Sequence, residues 1–223
     1  MCFTENQSYI NTILLVGSGL YLLPNYRLSI SLIFLAIKDL IQGLTYYNLR
    51  NNIDTHFLTT LSWIHISFQP FIVNLFLSHF DKKFIYWNFI FLISILYGFY
   101  NLTVLKKFDI QNDGNCKNNS REEDDYCSQK TKSYIGKHHI GYKFKTDSTM
   151  KFMIYFWPTI MFIPSLFTKS RLIGIGWIIF VLLLFIIFNN VGSGEQAAIW
   201  CFVSIIYALP IALFHKHIQK ILK

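Results

Sequence analysis

The chain has 223 residues, of which 53% are hydrophobic and 18% aromatic, with only 14% charged and a formal net charge of +8. That balance lies outside the range of ordinary soluble domains and makes a bilayer the natural solvent. The positive charge does not indicate nucleic acid, because the basic residues fall in short clusters between apolar runs and form no continuous patch; they read as anchors flanking membrane helices.

A hydrocarbon core about 30 Å thick calls for roughly 20 apolar residues per helix. The first such run, 8–24, carries Gly17 and Gly19 and stops at Pro24-Asn25. Without a basic leader or a small-x-small cleavage pattern, it reads as a retained helix and not as a signal peptide. Six more follow at 28–48, 56–79, 84–105, 149–168, 172–189 and 194–215. The expected fold is an all-α polytopic membrane bundle of seven transmembrane helices, with six as the alternative count. Residues 1–223 form one transmembrane domain, and 106–148 is a long polar extramembrane loop between helices 4 and 5. No internal repeat hints at an inverted-repeat transporter.

Basic residues divide almost evenly between the two sides, so the positive-inside count does not set the orientation. Two loop features do. Cys116 and Cys127 stand close enough in a flexible segment to close a disulfide in an oxidising compartment, the alternative being two free thiols. Three glycosylation sequons, at Asn6, Asn101 and Asn118, share the side of that loop, although Asn101 lies in the last turn of its helix. These place the N-terminus and the 106–148 loop outside or in a lumen. The C-terminal "FHKHIQKILK" is then a basic amphipathic helix on an anionic cytoplasmic leaflet.

Ionisable groups in the bilayer core cost roughly 2.5 to 3.5 kcal/mol each, so they turn toward other helices and often mark function. Lys38 and Asp39 fall mid-span, and Asp39, Gln42 and Tyr46 share one face of that helix. Ser62, His65 and Gln69 share a face of the next. Counting rise from Arg27 and from His79 puts Asp39 and His65 within one turn of the same depth. The expectation is a buried cluster of Asp39, Gln42, Tyr46, His65 and Gln69, with Lys38 beside Asp39 to neutralise it. Packing glue, a ligand or ion site, and catalysis all remain open for it. Pro70 removes one helical hydrogen bond and frees the carbonyl of Ile66, which must find another partner. At the start of the last span, Glu195 and Gln196 read as residues meeting the positive end of their own helix.

No metal or cofactor site is expected, because the seven histidines are scattered and no helical His-x-x-x-His pair exists. The last span has no Lys for a retinal Schiff base, and phosphate-binding loops, His-Glu-x-x-His and Gly-x-Ser-x-Gly are absent. Catalytic residues are therefore not assigned.

"KDLIQGLTYY", "LSWIHISFQPF", "GKHHIGY" and "GEQAAIWC", in this order, resemble the recurring motifs of an uncharacterised multi-pass membrane family of large DNA viruses, protists and bacteria. The resemblance covers about 35–205. It implies an acid where Asp39 stands, whereas Lys38 departs from the pattern. It further implies a viral origin, with insertion into a host or virion membrane, and supplies no activity. The functional expectation is a receptor-like or transport-related protein with the lipid bilayer and a small ligand or ion as partners, no nucleic acid, and an open oligomeric state. An intramembrane lipid-modifying hydrolase and a structural membrane component are the alternatives.

Overall fold

Local signals in the chain set the helix boundaries. Thr4 caps the first helix, α1 (Glu5–Tyr21), through an Oγ1 that accepts the Gln7 N–H at 3.3 Å, with Glu5 in the positively polarised first turn. Pro24-Asn25 ends that run, and α2 (Tyr26–Arg50) begins at once. The structure, a computed structural model, describes residues 4–82, 84–108, 131–144, 150–188 and 190–222. In chain order these add α3 (His56–Ser78), α4 (Trp87–Phe108), β1 (Lys132–Ile135), β2 (Ile140–Lys143), α5 (Met150–Leu166), α6 (Arg171–Ile187), α7 (Ser193–Leu213) and α8 (His215–Ile221). The protein is thus mostly helical. By length and composition, α2 and α3 are apolar enough to cross a membrane, and Trp87–Thr103, Phe156–Leu166 and Arg171–Leu184 are shorter apolar helical stretches.

α1 and α2 lie antiparallel, with Glu5 paired to Arg50 at 3.2 Å across their outer ends. α2 and α3 are antiparallel as well. Arg27 Nη1 donates to the Ser78 carbonyl at 2.8 Å, Ser31 Oγ donates to the Ile72 carbonyl at 3.3 Å, and the His65 ring bonds the Phe34 carbonyl at 2.8 Å. These three contacts fix the register of the central helix pair. Pro70 leaves the Ile66 carbonyl free, as expected, and Trp157 Nε1 of α5 donates to it at 3.1 Å. Asn74, buried a turn later, donates to the carbonyls of Pro70 and Ile160 at 2.8 and 3.0 Å and so fastens α3 to α5. The main core lies toward the α8 end, where Leu32, Phe76, Met161, Trp177 and Ala208 join α2, α3, α5, α6 and α7.

One segment departs from the expected all-α bundle with a wholly polar outer loop. Within 106–148, residues 132–143 form a two-stranded antiparallel hairpin that pairs Ser133 with Tyr142 and Ile135 with Ile140. Instead of standing in solvent, it is inserted among α2, α3 and α7. Ile140, Tyr142 and Phe144 are almost completely buried and form a second core with Trp63 of α3, Tyr97 of α4 and Ala198 of α7. The cause is the alternation in "IGYKF", which points every second side chain inward with a period of two. Hydrophilic neighbours on both sides mask that period in a window wide enough to find a membrane helix.

Cys116, Cys127 and Asn118 lie outside the described residues. Asn6 is exposed in the first turn of α1. Asn101 is buried, and its backbone carbonyl accepts Trp63 Nε1 at 3.2 Å.

Candidate functional site

Lys38, at the centre of α2, is 1% exposed. Its Nζ donates to the Tyr142 hydroxyl at 2.8 Å and lies 4.3 Å from the centre of that ring. A mid-helix lysine and a hairpin tyrosine therefore form the contact around which the other polar groups gather. One turn along α2, Gln42 Nε2 donates to the Ala198 carbonyl of α7 at 3.3 Å. A further turn on, the Tyr46 hydroxyl accepts the Ile140 N–H of the hairpin at 3.1 Å. Positions 38, 42 and 46 repeat at the helical interval, so one stripe of α2 holds both the hairpin and α7.

The expected cluster is corrected in two respects. His65 does not meet Asp39: its ring stacks on Phe34 at 3.8 Å, and its Nε2 bonds the Phe34 carbonyl. Phe34 stands five residues from Asp39, about 7.5 Å along the helix and more than a full turn. Nor does Lys38 pair directly with Asp39: no ion pair joins them among the described residues, although the lysine charge still acts on the carboxyl group. Successive helical residues diverge by about 100°, which turns Lys38 toward the hairpin and Asp39 toward α1. Asn11 of α1 is the polar side chain beside the Asp39 carboxylate, both oxygens of which are buried. Gln69 is buried on α3 one turn beyond His65. The lysine, and not the acid, is the hub.

Glu195 also differs from expectation. The N-cap of α7 is Gly192, with no side-chain cap, and the Glu195 carboxylate is turned to the hairpin. It is 3% exposed and accepts the backbone N–H groups of Lys137 at 3.0 Å, of His138 in a short bond, and of His139 at 2.9 Å. Three consecutive amides converging on one carboxylate make an anion-binding nest built within the chain. Two glycines permit it. A Cβ on Gly136 would come within 2.3 Å of the Glu195 carboxylate, and one on Gly194 within 2.0 Å of the Tyr142 carbonyl. Gln196 leaves the nest alone and donates to the Phe188 carbonyl at 2.9 Å, which closes the end of α6.

His139 lies beneath the same turn, 1% exposed, with its ring 5.6 Å from that of Tyr46. Its Nδ1 accepts the Ile140 N–H at 2.7 Å. Burial, followed by the charge of Lys38, holds its imidazole down at about 3. The ring is therefore neutral, with its proton on Nε2.

Three of the sequence motifs meet here through hydrogen bonds: "KDLIQGLTYY" supplies Lys38, Gln42 and Tyr46, "GKHHIGY" supplies the nest and Tyr142, and "GEQAAIWC" supplies Glu195 and the Ala198 carbonyl. The fourth, "LSWIHISFQPF", packs Trp63 on Phe144 of the hairpin segment and His65 on Phe34 of α2. Residues 16–223 match the family described as "Family of unknown function (DUF5765)". The chain belongs to that family. No curated protein matches it, and no solved structure does. Membership covers nearly the whole chain, so hairpin and helices together make up the family's domain. Tyr142 and His139 were not singled out from the sequence as site residues, although "GKHHIGY" contains both. A motif of histidine, glycine and tyrosine inside a polar loop is the signal that marks a loop folded back into the bundle.

Proposed function

We propose that this member of the DUF5765 family is a multi-pass membrane protein that binds a small polar ligand beneath its hairpin, in a receptor-like or transport-related role. The distribution of residues supports the membrane reading. Large apolar side chains stand outward on α1 (Ile13, Leu20), on α4 (Phe89, Leu92, Leu96, Phe99) and on α6 (Ile179, Leu182, Ile186), while Lys38, Asp39, Gln42, Ser62, His65 and Gln69 are buried inside. Exposed apolar faces around a polar interior suit lipid as the solvent. On this reading α1 to α7 all cross, with the ends of the shorter helices completed in the interface. On the orientation that the sequons and the Cys116–Cys127 pair favour, the α8 end, which carries Arg27, Lys82, Lys169, Arg171, Lys216 and Lys220, faces the cytoplasm. The hairpin then closes the opposite mouth, where non-helical backbone is tolerated because protein surrounds it.

A single observation carries the binding reading. Gln42 Oε1, one turn from Lys38 on α2, and Ser62 Oγ and His65 Nδ1, on the face of α3 that opposes this stretch of α2, are all buried without a hydrogen-bond partner. Each such atom costs about 1–3 kcal/mol, and several around one centre are a large debt for packing alone to leave. A ligand that engages them removes it. The test is thermal unfolding of the detergent-purified full chain against a panel of small polar molecules and ions. A true ligand at 100 times its Kd adds about 2.7 kcal/mol of stability. Lys38→Met should abolish that gain. A ligand that stabilises wild type and Lys38→Met equally would move the site elsewhere.

A further inference from the structure

The inventory of unspent hydrogen-bonding atoms around Lys38 specifies the chemistry of the occupant. An ammonium carries three N–H groups, and Lys38 directs one to Tyr142. The Ser62 hydroxyl is buried and unpartnered. The antiparallel register set by His65 with Phe34 and by Ser31 with Ile72 brings Ser62 opposite the turn of α2 that carries Lys38. Ser62 and His65, three residues apart, share one face of α3. The available donors are therefore the lysine and the serine, a pairing that suits a carboxylate.

Two acceptors remain, and the bonds their partner atoms already make fix both. Gln42 has committed its amide nitrogen to Ala198, so its Oε1 is the free atom. His65 directs Nε2 to the Phe34 carbonyl, which leaves a bare lone pair on Nδ1. A simple anion satisfies neither. A simple cation meets the lysine charge, while the nearest acid in sequence, Asp39, is turned toward Asn11 of α1. A carboxylate with an adjacent hydroxyl or ammonium group serves donors and acceptors together.

We propose that displacement of the hairpin opens a chamber beside Lys38 that takes a small hydroxy acid or amino acid, and that Tyr142 holds its place in the closed form. The proposal rests on the binding reading above. Tyr142 is fully buried, stacks on Phe144, and presents an uncharged oxygen to Lys38 as a ligand carboxylate would. Swinging the hairpin outward vacates the volume of a phenol ring beside Lys38, Ser62, Gln42 and His65. That volume limits the ligand to a few heavy atoms beyond its carboxylate. The Tyr142 hydroxyl thus acts as an internal competitor, and the Glu195 nest holds the hairpin that carries it.

Thermal shift and calorimetry on the full chain in detergent test this, with lactate, alanine, propionate, glycerol and choline as probes. Lactate or alanine should bind saturably, and propionate, which lacks the second group, should bind about tenfold more weakly, the cost of one acceptor left unpaired. Lys38→Met should lose the binding, and Asp39→Asn should keep it. Tyr142→Leu, which removes the competitor, should bind lactate or alanine at least several-fold more tightly than wild type. Should Lys38→Met fail to fold, Ser62→Ala and the ratio of lactate to propionate affinity on wild type carry the same test. Glycerol or choline binding in a Lys38-dependent way, with lactate and alanine inert, overturns the ligand class and leaves the chamber standing. Equal affinity for propionate and lactate also overturns it. Lys38-independent binding of every probe that binds overturns both class and chamber.

Discussion

The carboxylate of Glu195, on the first turn of α7, accepts the backbone N–H of His139 at the tip of the hairpin at 2.9 Å. Lys137 and His138 add their amides to the same side chain, so one residue holds three consecutive donors, of which that of His139 is buried. Removing the carboxylate with Glu195→Ala should cost about 3 kcal/mol. Glu195→Gln, which keeps one acceptor oxygen and loses the charge, should cost roughly half as much. Limited proteolysis at Lys137 reads the outcome directly: the alanine variant should be nicked there much faster than wild type. An unchanged cleavage rate would mean that the nest does not hold the hairpin.

Gly194 faces the backbone of Tyr142, where an added Cβ would sit 2.0 Å from the carbonyl oxygen. No rotamer change relieves a clash between two backbones. Gly194→Ala should therefore expel the hairpin or prevent folding, whereas Gly17→Ala, with open space around it, should melt at or slightly above the wild-type temperature. Comparison of the two melting curves checks the packing of α7 on β2.

The neutral imidazole of His139 gives a pH dependence of definite sign. Its folded value lies near 3, against about 6.5 in an unfolded chain. Between those values the unfolded chain binds a proton that the folded chain does not. Its contribution is therefore fully present above about pH 6.5 and declines as the pH falls, by at most about 1.4 kcal/mol per unit. His139→Asn, which offers Ile140 an acceptor without a titrating ring, should flatten the stability profile across that window. Denaturant melts of both proteins from pH 7 to pH 4 decide it.

Trp157 meets the carbonyl that Pro70 releases. Substituting Trp157→Phe keeps an aromatic ring but leaves the Ile66 oxygen without its indole donor in a partly buried position, at a cost of about 1 kcal/mol. Pro70→Ala in the same background restores an N–H within α3 and should recover part of the loss. If the two substitutions are simply additive, the proline and the tryptophan are not coupled.

The proposed orientation has its own test in a eukaryotic secretory membrane. Glycosidase treatment should reveal modification at Asn6 and Asn118 and none at Asn101, whose residue is buried against Trp63 and Tyr97. Non-reducing electrophoresis should show Cys116 joined to Cys127. Reduced cysteines together with an unmodified Asn118 would reverse the proposed topology.

Much of the helical frame can be read from the sequence because it depends on local physics. Apolar runs and Pro24-Asn25 bound the helices within a few residues of where they lie. The missing N–H of Pro70 requires a donor for Ile66 whatever surrounds it. Composition likewise establishes that Lys38, Asp39, Gln42, His65 and Gln69 sit in apolar helices and must be accommodated there. Which of them meet is another matter. A depth count fixes position along an axis and says nothing of rotation about it, so it pairs Asp39 with His65, whereas Lys38 meets Tyr142 and Asp39 turns to Asn11. Only the tertiary structure decided that residues 132–143 leave the polar loop, enter the bundle, bring Tyr142 to a lysine 104 residues away and set His139 against Glu195. Insertion is favourable only when α2, α3 and α7 together supply hydrogen-bond partners for the hairpin backbone, a condition that no local stretch of sequence contains.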